Sequence, residues 1–231
     1  MPSHNNLVIG QSGGATAVIN ASLVGAVERA MQDARIDGIY GMKYGVEGLL
    51  REELLDLRRQ PADLWPRLLR TPSAALGSCR YKLQDEDPAR VIEILRRYDI
   101  HMLLYIGGND SADTAHRLAE AAHQAGYDLR AISVPKTIDN DLPHTDHCPG
   151  YGNAARFIAL ATIDSTMNTK SIPWHYPVKV IETMGRDAGW LTASAALGKR
   201  DEDDAPHILL IPEQPFHQQR FLQQVEETYR R

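Results

Sequence analysis

Short apolar runs alternate along this chain with longer stretches in which apolar side chains recur every three or four residues. Residues 7–10, Leu-Val-Ile-Gly, predict a strand, and the stripe Ile19, Leu23, Ala26, Val27 and Ala30 predicts the helix after it. Residues 38–42 predict a second strand. From 43 to 86 the pattern predicts only short helical pieces, broken by Pro61, Pro66 and Pro72. Asp87 reads as an N-cap with Pro88 in the first turn, followed by Val91, Leu95 and Tyr98 at helical spacing. Residues 101–106 and 129–134 predict two more strands, separated by a helix over about 112–125 that Gly126 stops. A helix over about 153–167, with Phe157, Leu160 and Ala161 inward, follows a long loop. Residues 178–183 and 207–211 predict a fifth and a sixth strand. A last helix over 216–231 would turn Phe221, Leu222, Val225 and Tyr229 inward.

Strands and helices in this rhythm imply a mostly parallel sheet between helical layers, with right-handed crossovers. Four strand ends then carry glycine, acid or base, at 10–16, 107–111, 135–141 and 184–189. The carboxyl edge of such a sheet is where open α/β folds bind ligands. The first glycine run matches neither the dinucleotide nor the P-loop fingerprint. The loop Pro-Lys-Thr-Ile-Asp-Asn-Asp at 135–141 is the richest, with Lys136, Thr137, Asp139 and Asp141. In extended backbone the two acids would share a face, one to take a proton and one to hold a metal or partner cation. The other reading is a turn closed by Asp and Asn side chains. Four such clusters together supply what phosphoryl transfer needs: donors for phosphate oxygens, acids for magnesium and a base for the acceptor hydroxyl.

Composition leaves this picture intact. The 231 residues, 43% hydrophobic and 24% charged, suit a soluble globular protein, and the net charge of −5 argues against a nucleic-acid binder. Two cysteines, Cys79 and Cys148, fit a reducing cytosol. The expected location is cytoplasmic, with no leader and no membrane span.

The chain resembles the phosphofructokinase family. The resemblance rests on Gly-Gln-Ser-Gly-Gly-Ala-Thr-Ala-Val-Ile-Asn-Ala at 10–21, Gly-Ser-Cys-Arg at 77–80 and Ile-Gly-Gly-Asn-Asp-Ser at 106–111. It continues in Pro-Lys-Thr-Ile-Asp-Asn-Asp at 135–141 and Met-Gly-Arg-Asp-Ala-Gly-Trp at 184–190, in the family's order and spacing. It implies a three-layer α/β/α fold, with a donor-binding domain over 1–150 and the start of a sugar-phosphate domain over 151–231. It implies Asp139 as the base for the 1-hydroxyl of fructose 6-phosphate, with Thr137 and Asp141 beside it. Arg80 would stabilise charge on the transferring group. Met184, Gly185 and Arg186 would contact the sugar phosphate. Gly13 and Gly14 would line the donor site, and Gly108, Asp110 and Ser111 its phosphates and magnesium.

The same resemblance bears on the donor. ATP-dependent members usually have Gly-Gly-Asp-Gly-Ser, and Asp110 stands at the last glycine of that run. Members that use pyrophosphate carry an acid there together with the lysine that is Lys136 here. An acid where the α-phosphate of ATP would lie repels it, and the lysine can bind pyrophosphate instead. The expectation is reversible transfer from pyrophosphate to fructose 6-phosphate. The rival readings are an ATP-dependent kinase and an inactive or regulatory fragment. Asn109 stands where many members hold magnesium with an acid, leaving Asp110, Asp141 or the phosphates. Pro177 replaces an arginine, and the family's later glutamate and His/Arg-bearing segment do not appear, so the second domain is expected to be incomplete. A homo-oligomer is expected at full length.

Other groups read as structural. His144, His147 and Cys148 match no common zinc spacing. Cys79 reads as a small filler, Trp65 and Trp174 as core cover and Trp190 as packing at a helix start. Lys170, Lys179 and Lys199 read as solvated.

Overall fold

The computed structural model describes residues 5–230. They divide into two compact units, with the boundary between Lys136 and Thr137.

In the first unit, β1 (Asn5–Gln11) pairs in parallel with β2 (Ile36–Met42) on one side and β4 (Ile100–Gly107) on the other. Strand β5 (Arg130–Pro135) pairs in parallel with β4, and the short β3 (Leu54–Asp56) closes the far edge antiparallel to β2. The order is β3-β2-β1-β4-β5. Successive side chains of β1 point to opposite faces. Leu7 and Ile9 enter a core with Ile19, Leu23 and Val27 of α1 (Ile19–Met31), while Val8 enters one with Val91 and Leu95 of α4 (Asp87–Arg97) and Leu118 of α5 (Asn109–Gln124). Apolar residues on both faces are what a parallel sheet between two helical layers requires. The layers are those expected. Two short helices, α2 (Gly45–Leu50) and α3 (Leu64–Leu68), fill the segment read as broken helical pieces.

Three details differ. Strand β3 was not expected, because three residues are too few to display a period. Helix α5 begins at Asn109, not near Ala112, with Gly108 in extended backbone as its N-cap, so Asp110 lies in the first helical turn. Asp87 is the first residue of α4 and not its cap. Its Oδ2 accepts hydrogen bonds from Gln84 N and Tyr81 Oη, each at 2.7 Å.

The second unit contains α6 (Tyr151–Ser171), α7 (Trp190–Ser194), a 3-10 turn (Ala195–Gly198) and α8 (Gln218–Arg230). Helix α6 starts two residues earlier than expected, and its buried residues are Ala155, Ala159 and Thr162. Phe157 and Leu160, expected inward, are exposed. The small residues win because α7 and the 3-10 turn pack closely on that side: a Cβ at Gly198 would meet Ile163 Cδ1 at 2.5 Å. The runs 178–183 and 207–211 form no strand. A β-prone run becomes a strand only where a neighbouring strand takes up its N–H and C=O groups, and none of the described residues does so here; Val180 is 84% exposed. Helix α8 buries none of its residues, against the expected inward face, and Trp174 is 91% exposed where core cover was expected. Trp65 is buried as expected. Lys170 is paired rather than free in solvent, at 3.2 Å from Asp204, and Lys179 donates to Ser165 O at 2.8 Å. No helix among the described residues is long and apolar enough to cross a membrane.

Candidate active site

In the first unit β1, β4 and β5 run parallel, so their carboxyl ends share an edge and the loops after them meet there. Ser12 N donates to Ile106 O and Lys136 N to Gly107 O, each at 2.9 Å. These bonds continue the ladder one residue past each strand and hold the loop starts together. Gly13 has φ 77°, a left-handed conformation that suits glycine. A Cβ there would stand 3.2 Å from Lys136 Nζ and 4.0 Å from Gly108 N. Gly13, Gly108 and Lys136 are therefore adjacent, and Lys136 is only 6% exposed. Gly14 faces open space, with no heavy atom within 4 Å of where its Cβ would lie. Backbone amides, open space and a nearby cation are what a compact anion uses.

The loop carrying Arg80 lies on the same edge. Gly13 N donates to Cys79 O at 3.2 Å, Ser12 Oγ to Cys79 O at 3.2 Å and Ser78 Oγ to Gly13 O at 2.6 Å. Arg80 is exposed and makes no ion pair among the described residues. Cys79 is buried, with Tyr105 Oη 3.9 Å from its Sγ. Burial pushes the Tyr105 phenol well above its usual pKa, so it stays neutral while accepting from Val46 N at 3.1 Å. Asp110 extends into solvent from the first turn of α5, 3.9 Å from Lys82 Nζ, with its side chain 79% exposed. Ser111 does not face outward with it. It is buried, and its Oγ would lie 2.0 Å from a Cβ at Gly107.

The second unit opens with Thr137, Asp139 and Asp141. Asp139 N donates to Thr137 Oγ1 at 3.1 Å, and Thr137 Oγ1 donates to Asp141 Oδ1 at 3.1 Å. Asn140 has φ 58°, so the backbone between the two acids is turned and the extended, shared-face arrangement is absent. Asn140 is 5% exposed; its Oδ1 accepts from Cys148 N at 2.8 Å and its Nδ2 donates to Asp146 O at 3.2 Å. The turn reading and the site reading are thus compatible: turn bonds fix the backbone on which Asp139 sits. A cleft of about 440 Å³ opens beside Asp141, Pro143 and Trp190.

Asn140 is a positioning residue that sequence reasoning passed over. Asn140→Ala would strand the buried Cys148 N–H and place alanine in left-handed backbone. The expected loss is about 1–3 kcal/mol, read by denaturant unfolding of the variant. An unchanged midpoint would contradict the role.

Met184 and Arg186 are exposed on a tight turn. Gly185 sits there at φ 137°, and a Cβ would stand 2.5 Å from Ala188 O. Glu213 Oε1 accepts from Gly189 N at 2.7 Å and closes the turn. No motif marks Glu213, so sequence reasoning missed it. Of the histidine and cysteine run, Cys148 is buried and His147 packs 5.5 Å from the Tyr151 ring. Trp190 opens α7 and faces Tyr151 edge-on at 6.4 Å.

Among the described residues no three His, Cys, Asp or Glu side chains are grouped to hold a metal alone. Asn109 supplies no carboxylate. The exposed carboxylate of Asp110 nevertheless fits a hard cation that shares its coordination with substrate phosphates and water.

The family profile described as Phosphofructokinase matches residues 6–231. A "Pyrophosphate--fructose 6-phosphate 1-phosphotransferase" of Xanthomonas campestris pv. campestris (strain B100) is 44% identical over 99% of this chain, which covers 56% of that protein. An "ATP-dependent 6-phosphofructokinase" of Teredinibacter turnerae (strain ATCC 39867 / T7901) is 33% identical over 96% of the chain and 64% of its own length. The crystal structure of a pyrophosphate-dependent phosphofructokinase from Marinobacter aquaeolei superposes with a TM-score of 0.88 at 42% identity, covering 98% of this chain and 57% of that one. The chain thus spans little more than half the length of the pyrophosphate-dependent relatives it matches. With the strand-end loops, the sheet order and the profile match in agreement, the chain belongs to the phosphofructokinase family.

Proposed function

We propose that this chain carries the donor site and the catalytic base of a phosphotransferase that uses pyrophosphate and fructose 6-phosphate. The observation that carries the donor is Asp110 in the first turn of α5, on the unit in which buried Lys136 adjoins Gly13 and Gly108. A carboxylate at that position opposes the α-phosphate of ATP, while Lys136 and the backbone amides serve the two phosphates of pyrophosphate. The identity of 44% to a relative named for that activity supports the same choice.

In the reaction, Asp139 accepts the proton of the sugar 1-hydroxyl, whose oxygen forms a bond to one phosphorus of pyrophosphate. The bridging P–O bond breaks, and its electron pair leaves with inorganic phosphate. Arg80 and Lys136 stabilise negative charge on the transferring and leaving groups. Thr137 positions the turn bearing Asp139 through its bond to Asp139 N. Met184, Gly185 and Arg186 offer the sugar phosphate a turn with a cation. Magnesium bound with pyrophosphate, with Asp110 as its protein carboxylate, would neutralise phosphate oxygens. A phosphoanhydride P–O bond is broken and a phosphate-ester P–O bond is formed, and the family resemblance supports a reversible balance between them. The buried free cysteines support a reducing cytoplasm, and family membership supports a homo-oligomer.

Calorimetric titration with magnesium pyrophosphate, and in parallel with magnesium ATP, tests the donor. Asp110 is largely exposed, so repulsion is worth about 1.5–2 kcal/mol, or about tenfold or more in favour of pyrophosphate. Equal or tighter binding of ATP would contradict the reading.

A further inference from the structure

Two side-chain amides under the glycine-rich loop, Gln11 and Asn20, are almost completely buried, at 0% and 1% exposure. Gln11 Nε2 donates to Asn20 Oδ1 and to Ile19 O, each at 3.0 Å. The remaining bonds all go to one segment. Gln11 Oε1 accepts from Leu76 N at 2.9 Å, Asn20 Oδ1 accepts from Ala75 N at 2.8 Å and Asn20 Nδ2 donates to Thr71 O at 2.9 Å.

Residues 71–80 form neither helix nor strand, so the buried pair supplies hydrogen bonds that a ladder would otherwise provide. The segment leads directly to Arg80, whose guanidinium makes no ion pair among the described residues. With no side-chain partner to hold it, Arg80 is placed by its backbone. The amide pair at 71–76 and the bonds of Ser78 and Cys79 to Gly13 and Ser12 hold that backbone against the glycine-rich loop and α1. Single backbone bonds from Ser73 N to Thr16 O at 3.2 Å and from Tyr44 N to Leu76 O at 2.8 Å hold it as well.

We infer that Gln11 and Asn20 are positioning residues that set Arg80 against the glycine-rich loop, and thereby the affinity for the phosphoryl donor. The inference rests on the proposed role of Arg80. A merely structural pair would satisfy its own amides within the core. Here one residue from the end of β1 and one from α1 both reach the chain that presents the arginine.

The test is a double-mutant cycle read by calorimetric titration with magnesium pyrophosphate, using Gln11→Met, Asn20→Asp and Arg80→Ala. Gln11→Met keeps the shape and loses the amide, and is expected to weaken binding about tenfold. In the Arg80→Ala background the same change should cost less than about twofold, because the pair acts through the arginine. An equal loss in both backgrounds, or no loss in a variant that unfolds cooperatively, overturns the inference. Asn20→Asp, which keeps the acceptor for Ala75 N, serves if Gln11→Met fails to fold, with the same two outcomes. Amide exchange at Ala75 and Leu76 separates this inference from the donor reading. Should the unmutated chain bind no pyrophosphate, the donor reading fails. Slow exchange there that becomes fast in the variant still sustains the tie, and fast exchange in the unmutated chain overturns it.

Discussion

Asp139→Ser is expected to lower phosphoryl transfer to fructose 6-phosphate by about 10²- to 10⁴-fold, while pyrophosphate affinity changes by less than about threefold. The first figure is what a positioned general base contributes. The second follows from the role proposed for the residue. Asp139 is assigned to the sugar hydroxyl, and the phosphates of the donor to Gly13, Gly108, Asp110 and Lys136. The bond that places Asp139 runs from its backbone N to Thr137 Oγ1, and the bonds of Asn140 to Cys148 and Asp146 do not involve the carboxylate. Serine keeps the backbone bond of residue 139 to Thr137 Oγ1 while removing the base. Steady-state rates with pyrophosphate, together with calorimetric donor affinity, check both halves. Transfer within tenfold of the unmutated chain would remove Asp139 from its role, and a matching loss of donor affinity would point to a collapsed loop.

Asp110→Gly is expected to shift the donor preference toward ATP by about tenfold or more, from removal of one negative charge at a largely solvated position. Little of the fold depends on the carboxylate, and loss of its proposed magnesium contact would weaken both donors alike, so the ratio of the two affinities reports donor selection. Its contact with Lys82 is 3.9 Å long, with both side chains more than three-quarters exposed. Such a pair contributes at most about 1 kcal/mol. The acid also lies in the first turn of α5, where it complements the helix dipole by about 0.3–1 kcal/mol. Melting should therefore change modestly while the ratio of pyrophosphate to ATP affinity falls. A ratio that stays constant in a folded variant would mean that another feature selects the donor.

The first unit was legible because its apolar runs are bounded by glycine and flanked by helical stripes, as with Leu7 to Gly10 before Ile19 and Leu23. Local pattern is sufficient where both faces of a strand are buried. It misled where burial depends on what packs alongside. Phe157 and Leu160 have the right period for an inward face, yet small Ala155 and Ala159 take that place because α7 and the 3-10 turn approach closely. Val178 to Thr183 has strand composition, but composition supplies no partner ladder. In the site, motif spacing singled out Lys136, Thr137, Asp139 and Gly13, whose placement depends on their own loops. Gln11, Asn140 and Glu213 were passed over as positioning residues. Each is a polar side chain that bonds to backbone 6 to 65 residues away, and nothing in its immediate neighbours records that bond.

Pyrophosphate is proposed as the donor. The most direct test is phosphoryl transfer to fructose 6-phosphate with magnesium, run in parallel with pyrophosphate or ATP as the donor and followed by formation of the bisphosphate. Product should form from pyrophosphate at least about tenfold faster than any from ATP. Product formed from ATP alone would contradict it.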